Sequence, residues 1–386
     1  VDKSYGSTYI EEGEGIVDSN YLASSRNITD SIGGVNLRSV SNYFFGEKLS
    51  GEEYKNKLKE IDFGSRKTRD ELLESFKEIK KNSIVRSTKQ INCINCVGDH
   101  LENAKDCYYV FDGFDLEKVR YSSWVFSSKD ISDCFGMGSS ELIYEAISPE
   151  EVNNCKFLMA TDSSHDVEYG LFCQSSGFLF GCVGLRSKEY CILNKKYSKE
   201  EYNKLVTKIK KDMETNPYID KRGLFYRYGE FFPSELSYVP YNESTAQEYY
   251  PLNKEEAIKN GFEWKDNEIR SYNITIETQK IPDNIKDVND SIMEQVLACS
   301  HKQNCTHQCT QAFKIIPNEL QFYRKMKIPL PILCPNCRHF ERLERRNPMK
   351  LWSRNCAKCK KEIMSSYSLN SSETVYCEKC YQQEVY

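Results

Sequence analysis

The sequence predicts a mostly β chain with short α-helices: an irregular β-solenoid-like, Cys-rich repeat region, then a C-terminal zinc-ribbon or treble-clef-like module. Three observations carry this reading. Phrases in which Asn, Asp or Gly precedes Cys recur through residues 91–195. A segment with the signature of a strand, a capped turn and a helix occurs twice, at an offset of 148 residues. The final stretch holds three C-x2-C pairs.

A chain of 386 residues exceeds one ordinary compact domain, and four stretches are expected: 1–90, 91–211, 212–290 and 291–386. With 39% hydrophobic and 28% charged residues it can bury a core. No apolar run approaches the roughly 18 residues that span a bilayer, so no membrane partner is expected. The opening VDKSYGSTYIEEGEG shows neither a basic start nor an apolar stretch, and what precedes Val1 stays open. The 17 cysteines, an odd number with several in C-x2-C pairs, fit metal binding better than a disulfide framework. A reducing, cytoplasmic compartment is the expectation.

The first stretch is expected to hold a strand and two helices. Ser50-Gly-Glu-Glu53 reads as a capping box, followed by Tyr54, Leu58 and Ile61 on one face. Thr68-Arg-Asp-Glu71 should open a second helix with Leu72, Phe76 and Ile79 along one stripe. The plain reading of both is an amphipathic helix with a solvated outer face.

In the second stretch the phrases are Asn92-Cys93, Asp106-Cys107, Asp133-Cys134, Asn154-Cys155 and Gly181-Cys182, set among aromatic and β-branched residues. The cysteines step by 14, 27, 21 and 27 residues, an irregular spacing near that of stacked coils. Cys is small and readily buried, so it suits an interior ladder. Asn, Asp and Gly suit corners that need left-handed backbone angles. An ordinary antiparallel domain with scattered cysteines is the competing reading. The stretch ends on YCILNKKYSKEEY, which aligns with NYFFGEKLSGEEY of residues 42–54. Each copy should supply a helix that covers an open end or edge of the β array.

Residues 212–290 read as an extended, Tyr- and Pro-punctuated connector with one short helix over 253–260. Its aromatic residues need a surface, so it is expected to wrap the repeat region. A base-stacking platform is the less favoured reading.

The last stretch carries the clearest chemistry. Cys356-x2-Cys359, 17 residues, then Cys377-x2-Cys380 has the zinc-ribbon spacing, with a hairpin expected between the knuckles. Cys334-x2-Cys337 should form a second site with Cys309 and either Cys305 or Cys299, and His301 or His307 could replace one thiolate. Cys334 and Cys337 could instead pair with Cys356 and Cys359. Two zinc ions are therefore expected, with iron as the alternative metal. Four closed thiolates leave no open coordination position, which makes such sites structural.

Between Gln321 and Lys361 stand 12 Lys/Arg and 2 acidic residues. Arg338, Arg342, Arg345 and Arg346 recur at helical spacing after a knuckle, with Lys350 and Arg354 beyond. Such a helix beside Trp352 could meet RNA or DNA phosphates. A solvated helix pairing its arginines with Glu341 and Glu344 is the plain alternative.

Catalysis finds little support. His165 is flanked by Asp162 and Asp166, but such groups are common in turns, and no phosphate loop, dinucleotide fingerprint or HExxH occurs. The expectation is a non-enzymatic, zinc-stabilised binding or scaffold protein whose basic module contacts nucleic acid. A protein-protein interaction scaffold is the first alternative, and an enzyme acting in a solenoid groove is the second.

The runs GCVGLRSKEYCILNKKYSKEEY, EFFPSELSYVPYNESTAQEYYPLNKEEA and QAFKIIPNELQFYRKMKIPLPILCPNCRHFERLERRNPMKLW, with the end ETVYCEKCYQQEVY, resemble a group of uncharacterised bacterial zinc-ribbon proteins. The resemblance covers most of the chain after residue 40. It implies a Cys-rich repeat region joined to a C-terminal zinc module, and no established activity.

Overall fold

The computed structural model describes residues 2–266, 272–302 and 304–386. It is mostly β, with eight short α-helices among the described residues. None of these helices is long and apolar enough to cross a membrane.

Two parallel ladders dominate. The first has six strands between Thr8 and Lys48, and the second has ten between Gln90 and Lys196. Within each, a residue pairs with the one 12 positions on: Thr8 with Asn20, Asn20 with Ile32, Glu141 with Asn153, Asn153 with His165. The offset falls to 11 at the start of the second ladder, where Gln90 pairs with Leu101. The cysteine steps of 14 to 27 residues conceal this period, because cysteine fills only some of its slots.

The backbone explains the period. Every third residue takes a left-handed angle, as at Asp106, Tyr109, Asp112, Asp115, Lys118 and Tyr121. The residue after each points inward, and Cys107, Val110, Gly113, Leu116, Val119 and Ser122 are all buried. Four such triplets return the chain to register. Inward side chains therefore stack in columns, one running Val119, Ile131, Ile143, Cys155.

Ser and Cys have a specific use in these columns. Ser140 Oγ accepts the Val152 N–H at 3.2 Å and donates to the Gly138 carbonyl at 2.7 Å. Cys155 Sγ does the same with the Val167 N–H at 3.4 Å and the Asn153 carbonyl at 3.2 Å. A turn at every third residue leaves backbone groups off the ladder, and these small side chains satisfy them. Asn92, Asp106, Asp133, Asn154 and Gly181, each directly before a cysteine, are all left-handed, as are Asn95, Phe172 and Tyr190 before Cys96, Cys173 and Cys191.

The first ladder has no cysteine and uses serine instead. Ser7, Ser19 and Ser31 accept the N–H groups of Ser19, Ser31 and Tyr43 in turn. The expected strand-plus-two-helices stretch thus contains a six-stranded, largely parallel array as well.

Each ladder ends alike, in an antiparallel hairpin and a Ser-capped helix: α1 (Gly51–Glu60) after the first and α3 (Lys199–Thr215) after the second. Both helices have the capping box, Ser50 with Glu53 and Ser198 with Glu201. Tyr54 and Tyr202 are buried at the equivalent place, Tyr202 against Phe180 and Ile192. Between them, α2 (Arg66–Lys81) starts earlier than the Thr68 motif suggests, because Ser65 Oγ accepts the Thr68 N–H. Its Phe76 packs on Tyr21.

The connector holds two short α-helices rather than one, α4 (Thr245–Tyr249) and α5 (Lys254–Lys259). Its aromatics lie on the second ladder: Tyr228 against Phe157 and Tyr169, Tyr249 against Trp124 and Phe135. Ile281, Ile285 and Ile292 instead join a core with Leu297, Cys299, Leu320 and Cys337. That core contains α6 (Pro317–Met326) and α7 (Pro335–Leu343), and α8 (Glu378–Val385) ends the chain.

Candidate metal centres

Cys356 and Cys359 sit in the turn between the antiparallel strands Trp352–Asn355 and Glu362–Ser365. The turn closes through the Cys356 N–H on the Lys361 carbonyl at 2.8 Å and the left-handed Lys360. Cys377 caps α8, which carries Cys380 in its first turn. The four sulfurs lie within 4.8 Å of one another, with Cys359 and Cys377 at 3.8 Å. In a ZnS4 tetrahedron with bonds of ~2.3 Å the edge is about 3.8 Å. The set fits a metal ion.

The hairpin lies around the first knuckle, not between the two. A C-x2-C turn is itself tight enough to reverse the chain. The strand before the second knuckle, Thr374–Tyr376, pairs in parallel with Ile84–Arg86. That pairing ties the segment before the second knuckle to one that precedes the second ladder.

Electrostatics favour a thiolate here. Burial opposes ionisation of Cys356, but N–H groups of Cys377, Cys359 and Lys358 aimed at its sulfur bring it down to about 6.

The second centre gathers Cys299, Cys309, Cys334 and Cys337, all buried, with sulfurs within 4.8 Å of one another. Cys334 caps α7 with Pro335 at its first position, so Cys337 follows one turn on. The Cys299 thiol, with help from Thr310 and backbone N–H groups, holds Cys334 down to about 3. Cys299 is correspondingly driven up by that same bond, and Cys337 is raised chiefly by burial. Cys334 and Cys337 do not meet Cys356 and Cys359 in either group.

A third group brings together His301, Cys305, His307 and Cys337, again within 4.8 Å. From the sequence, Cys337 is expected in the four-cysteine site, Cys305 as an alternative to Cys299 there, and His301 or His307 only as a substitute for one thiolate. A separate cluster is not visible there, because spacing alone does not reveal that the loop offers donors on two sides of Cys337.

Cysteines of the second ladder are placed differently. Cys107, Cys134, Cys155, Cys173, Cys182 and Cys191 are buried, and Cys93 and Cys96 are partly so. Burial pushes the Cys134 and Cys155 thiols up to about 12. They are column residues.

The arginines expected at a nucleic-acid surface divide. Arg338 meets Glu319 at 3.1 Å and the Tyr323 hydroxyl at 2.9 Å. Arg346 meets Asp112 at 2.6 Å and lies over Trp124 and Tyr249. Arg354 donates to the Ser368 carbonyl and Ser371 Oγ, and Lys350 stands over the Trp352 ring. Arg342 and Arg345 are exposed. His165 bonds Asp166 at 3.0 Å on the outside of the second ladder.

One polar junction escaped sequence reasoning. His100 of the second ladder meets Glu12 of the first at 2.9 Å and stands 3.5 Å from Asp99. Nothing in the local sequence links residues so far apart.

Compared with protein-family models and with curated proteins, the chain matches none.

Proposed function

We propose that the protein is a non-enzymatic, zinc-stabilised scaffold in which two β-solenoid-like arrays are held in place by C-terminal zinc knuckles. The parallel register of 12 residues and the inward columns support the solenoid-like reading. Zinc is the metal best suited to a closed set of four thiolates. The carrying observation is the Cys356, Cys359, Cys377, Cys380 group, whose adjoining strand Thr374–Tyr376 pairs with Ile84–Arg86. Four protein donors leave no position for substrate, which favours a structural role. Metal analysis with thiol titration of the purified chain tests this. Zinc with reduced cysteines supports it, and a disulfide-linked, metal-free tail overturns it.

Nucleic acid is the partner we propose for the basic module, through Arg342 and Arg345 of the segment after Cys337. The supporting observation is their exposure, while Arg338, Arg346 and Arg354 are engaged within the protein. A salt-dependent mobility shift with RNA or DNA tests it. The second reading, a scaffold for proteins, draws on exposed aromatics of the second ladder, Tyr108, Phe114 and Tyr121. A protein captured without nucleic acid would favour it.

A further inference from the structure

The loop from Cys299 to Cys309 carries more donors than one tetrahedral ion takes. Cys299, Cys309, Cys334 and Cys337 already form a set of four sulfurs. Three donors of the same loop remain, His301, Cys305 and His307, and they converge with Cys337 on a second point. Cys337 Sγ lies 3.8 Å from Cys299 Sγ on one side and 3.8 Å from Cys305 Sγ on the other. Both separations match the edge of a thiolate tetrahedron, about 3.8 Å for Zn–S bonds of ~2.3 Å.

The two imidazoles supply an independent sign. His307 is buried, and its Nε2 lies 2.9 Å from a Glu344 carboxylate oxygen. Its Nδ1 is also buried and has no hydrogen-bond partner among the described residues. His301 shares the buried, unpartnered Nδ1, while its Nε2 stands 3.9 Å from Glu341, beyond hydrogen-bond reach. Buried ring nitrogens are seldom left orphaned. A metal-bound imidazole has this arrangement, one nitrogen toward the ion and the other N–H toward a carboxylate.

We propose that this loop holds two zinc ions bridged by the Cys337 thiolate. One ion takes Cys299, Cys309, Cys334 and Cys337. The other takes Cys337, Cys305 and Nδ1 of His301 and His307. Charge favours the pair. One divalent ion on four thiolates leaves two excess negative charges in a buried site. Two ions on five thiolates and two neutral imidazoles leave one. Glu344, at the end of α7, orients the His307 imidazole.

The proposal rests on the zinc-stabilised reading and adds a third ion to the chain. Native mass spectrometry and elemental analysis of the full chain test it, together with cadmium-113 NMR after exchange. The expected count is three zinc ions in the parent and two in His307→Ala or in Cys305→Ser. The cadmium-loaded parent should give three resonances, one moved by nitrogen ligands and coupled to a second through the shared sulfur. Two ions in the parent overturn the bridge and leave the two four-thiolate sites standing. No ions overturn both. Three ions retained in both variants, or no cadmium–cadmium coupling in the parent, also overturn the bridge, and the parent spectrum decides even if a variant does not fold.

Discussion

Arg346 and Asp112 meet at 2.6 Å across 234 residues of chain, and the guanidinium also lies over the rings of Trp124 and Tyr249. An arginine from the most basic part of the sequence is thus a clasp between the cysteine-rich C-terminal module and the second ladder. Both side chains keep partial access to solvent, so the pair is worth about 0.5–1 kcal/mol, with a similar amount from the rings. Arg346→Ala should lower stability by roughly 1–2 kcal/mol in urea denaturation. A double-mutant cycle with Asp112→Ala should show coupling, and strict additivity would disprove the clasp.

Arg342 and Arg345 are exposed and form no such clasp among the described residues. Their joint replacement by Ala should leave folding and zinc content unchanged and weaken RNA or DNA binding for many sequences alike. The log–log salt slope should fall by about one unit for each phosphate no longer neutralised. An unchanged slope and affinity would end the nucleic-acid reading.

The inward hydroxyls and thiols should be interchangeable, but not dispensable. Ser140→Ala strips the Val152 N–H of its acceptor in a buried place and should cost about 1–3 kcal/mol. Ser140→Cys should cost less, because Cys155 already fills the equivalent role. Thermal denaturation ranks the variants. The reverse order would show that size, not hydrogen bonding, governs the columns. Cys134 and Cys155, raised to about 12 by burial, should also resist thiol reagents until the chain unfolds.

The Glu12–His100 contact makes the junction of the two ladders pH-dependent. Burial opposes the charge on His100, but hydrogen bonds to Asp99 and Glu12 outweigh it and lift the imidazole to about 10. The hydrogen bond from His100 brings Glu12 down to about 2, against the burial that opposes it. For the raised His100 the contribution is full below about pH 6.5 and is lost as pH rises through 10. For the depressed Glu12 it is full above the ordinary carboxylate range and is lost as pH falls through 2. His100→Gln should therefore be most damaging near pH 6 and nearly silent at high pH. A penalty that stays constant across this range would contradict the pair.

Parts of this architecture are legible in the sequence, for identifiable reasons. Ser50 with Glu53 and Ser198 with Glu201 satisfy helix ends through neighbours, so both caps can be read locally. Asn or Asp before Cys marks the left-handed corner at Asp106, Asp133 and Asn154. The full period is hidden because inward slots accept Ser19, Gly113, Val119 and Cys155 alike, and corners accept even Trp124 and Lys118. The first ladder is not legible for that reason, having no cysteine to mark its corners. C-x2-C spacing marks the knuckles, whereas the side that His301 and His307 take is set by the folded loop. Net charge counts Arg338 and Arg346 without disclosing Glu319 and Asp112 as their partners.

If the Cys356, Cys359, Cys377, Cys380 group holds zinc, binding there should be coupled to folding. Cys359→Ser should release the strand Thr374–Tyr376 from Ile84–Arg86 and loosen the last stretch, with both ladders intact. Hydrogen exchange would report faster exchange after residue 350 and at 84–86. Uniform loosening of the whole chain would contradict a local role.

If closed, sulfur-rich zinc centres brace this fold, X-ray absorption at the zinc edge of the intact protein should show them. The expected first shell is dominated by sulfur at about 2.3 Å, with a minor nitrogen part and no exchangeable oxygen ligand. A shell rich in oxygen, or a protein that folds fully without zinc, would contradict the bracing role.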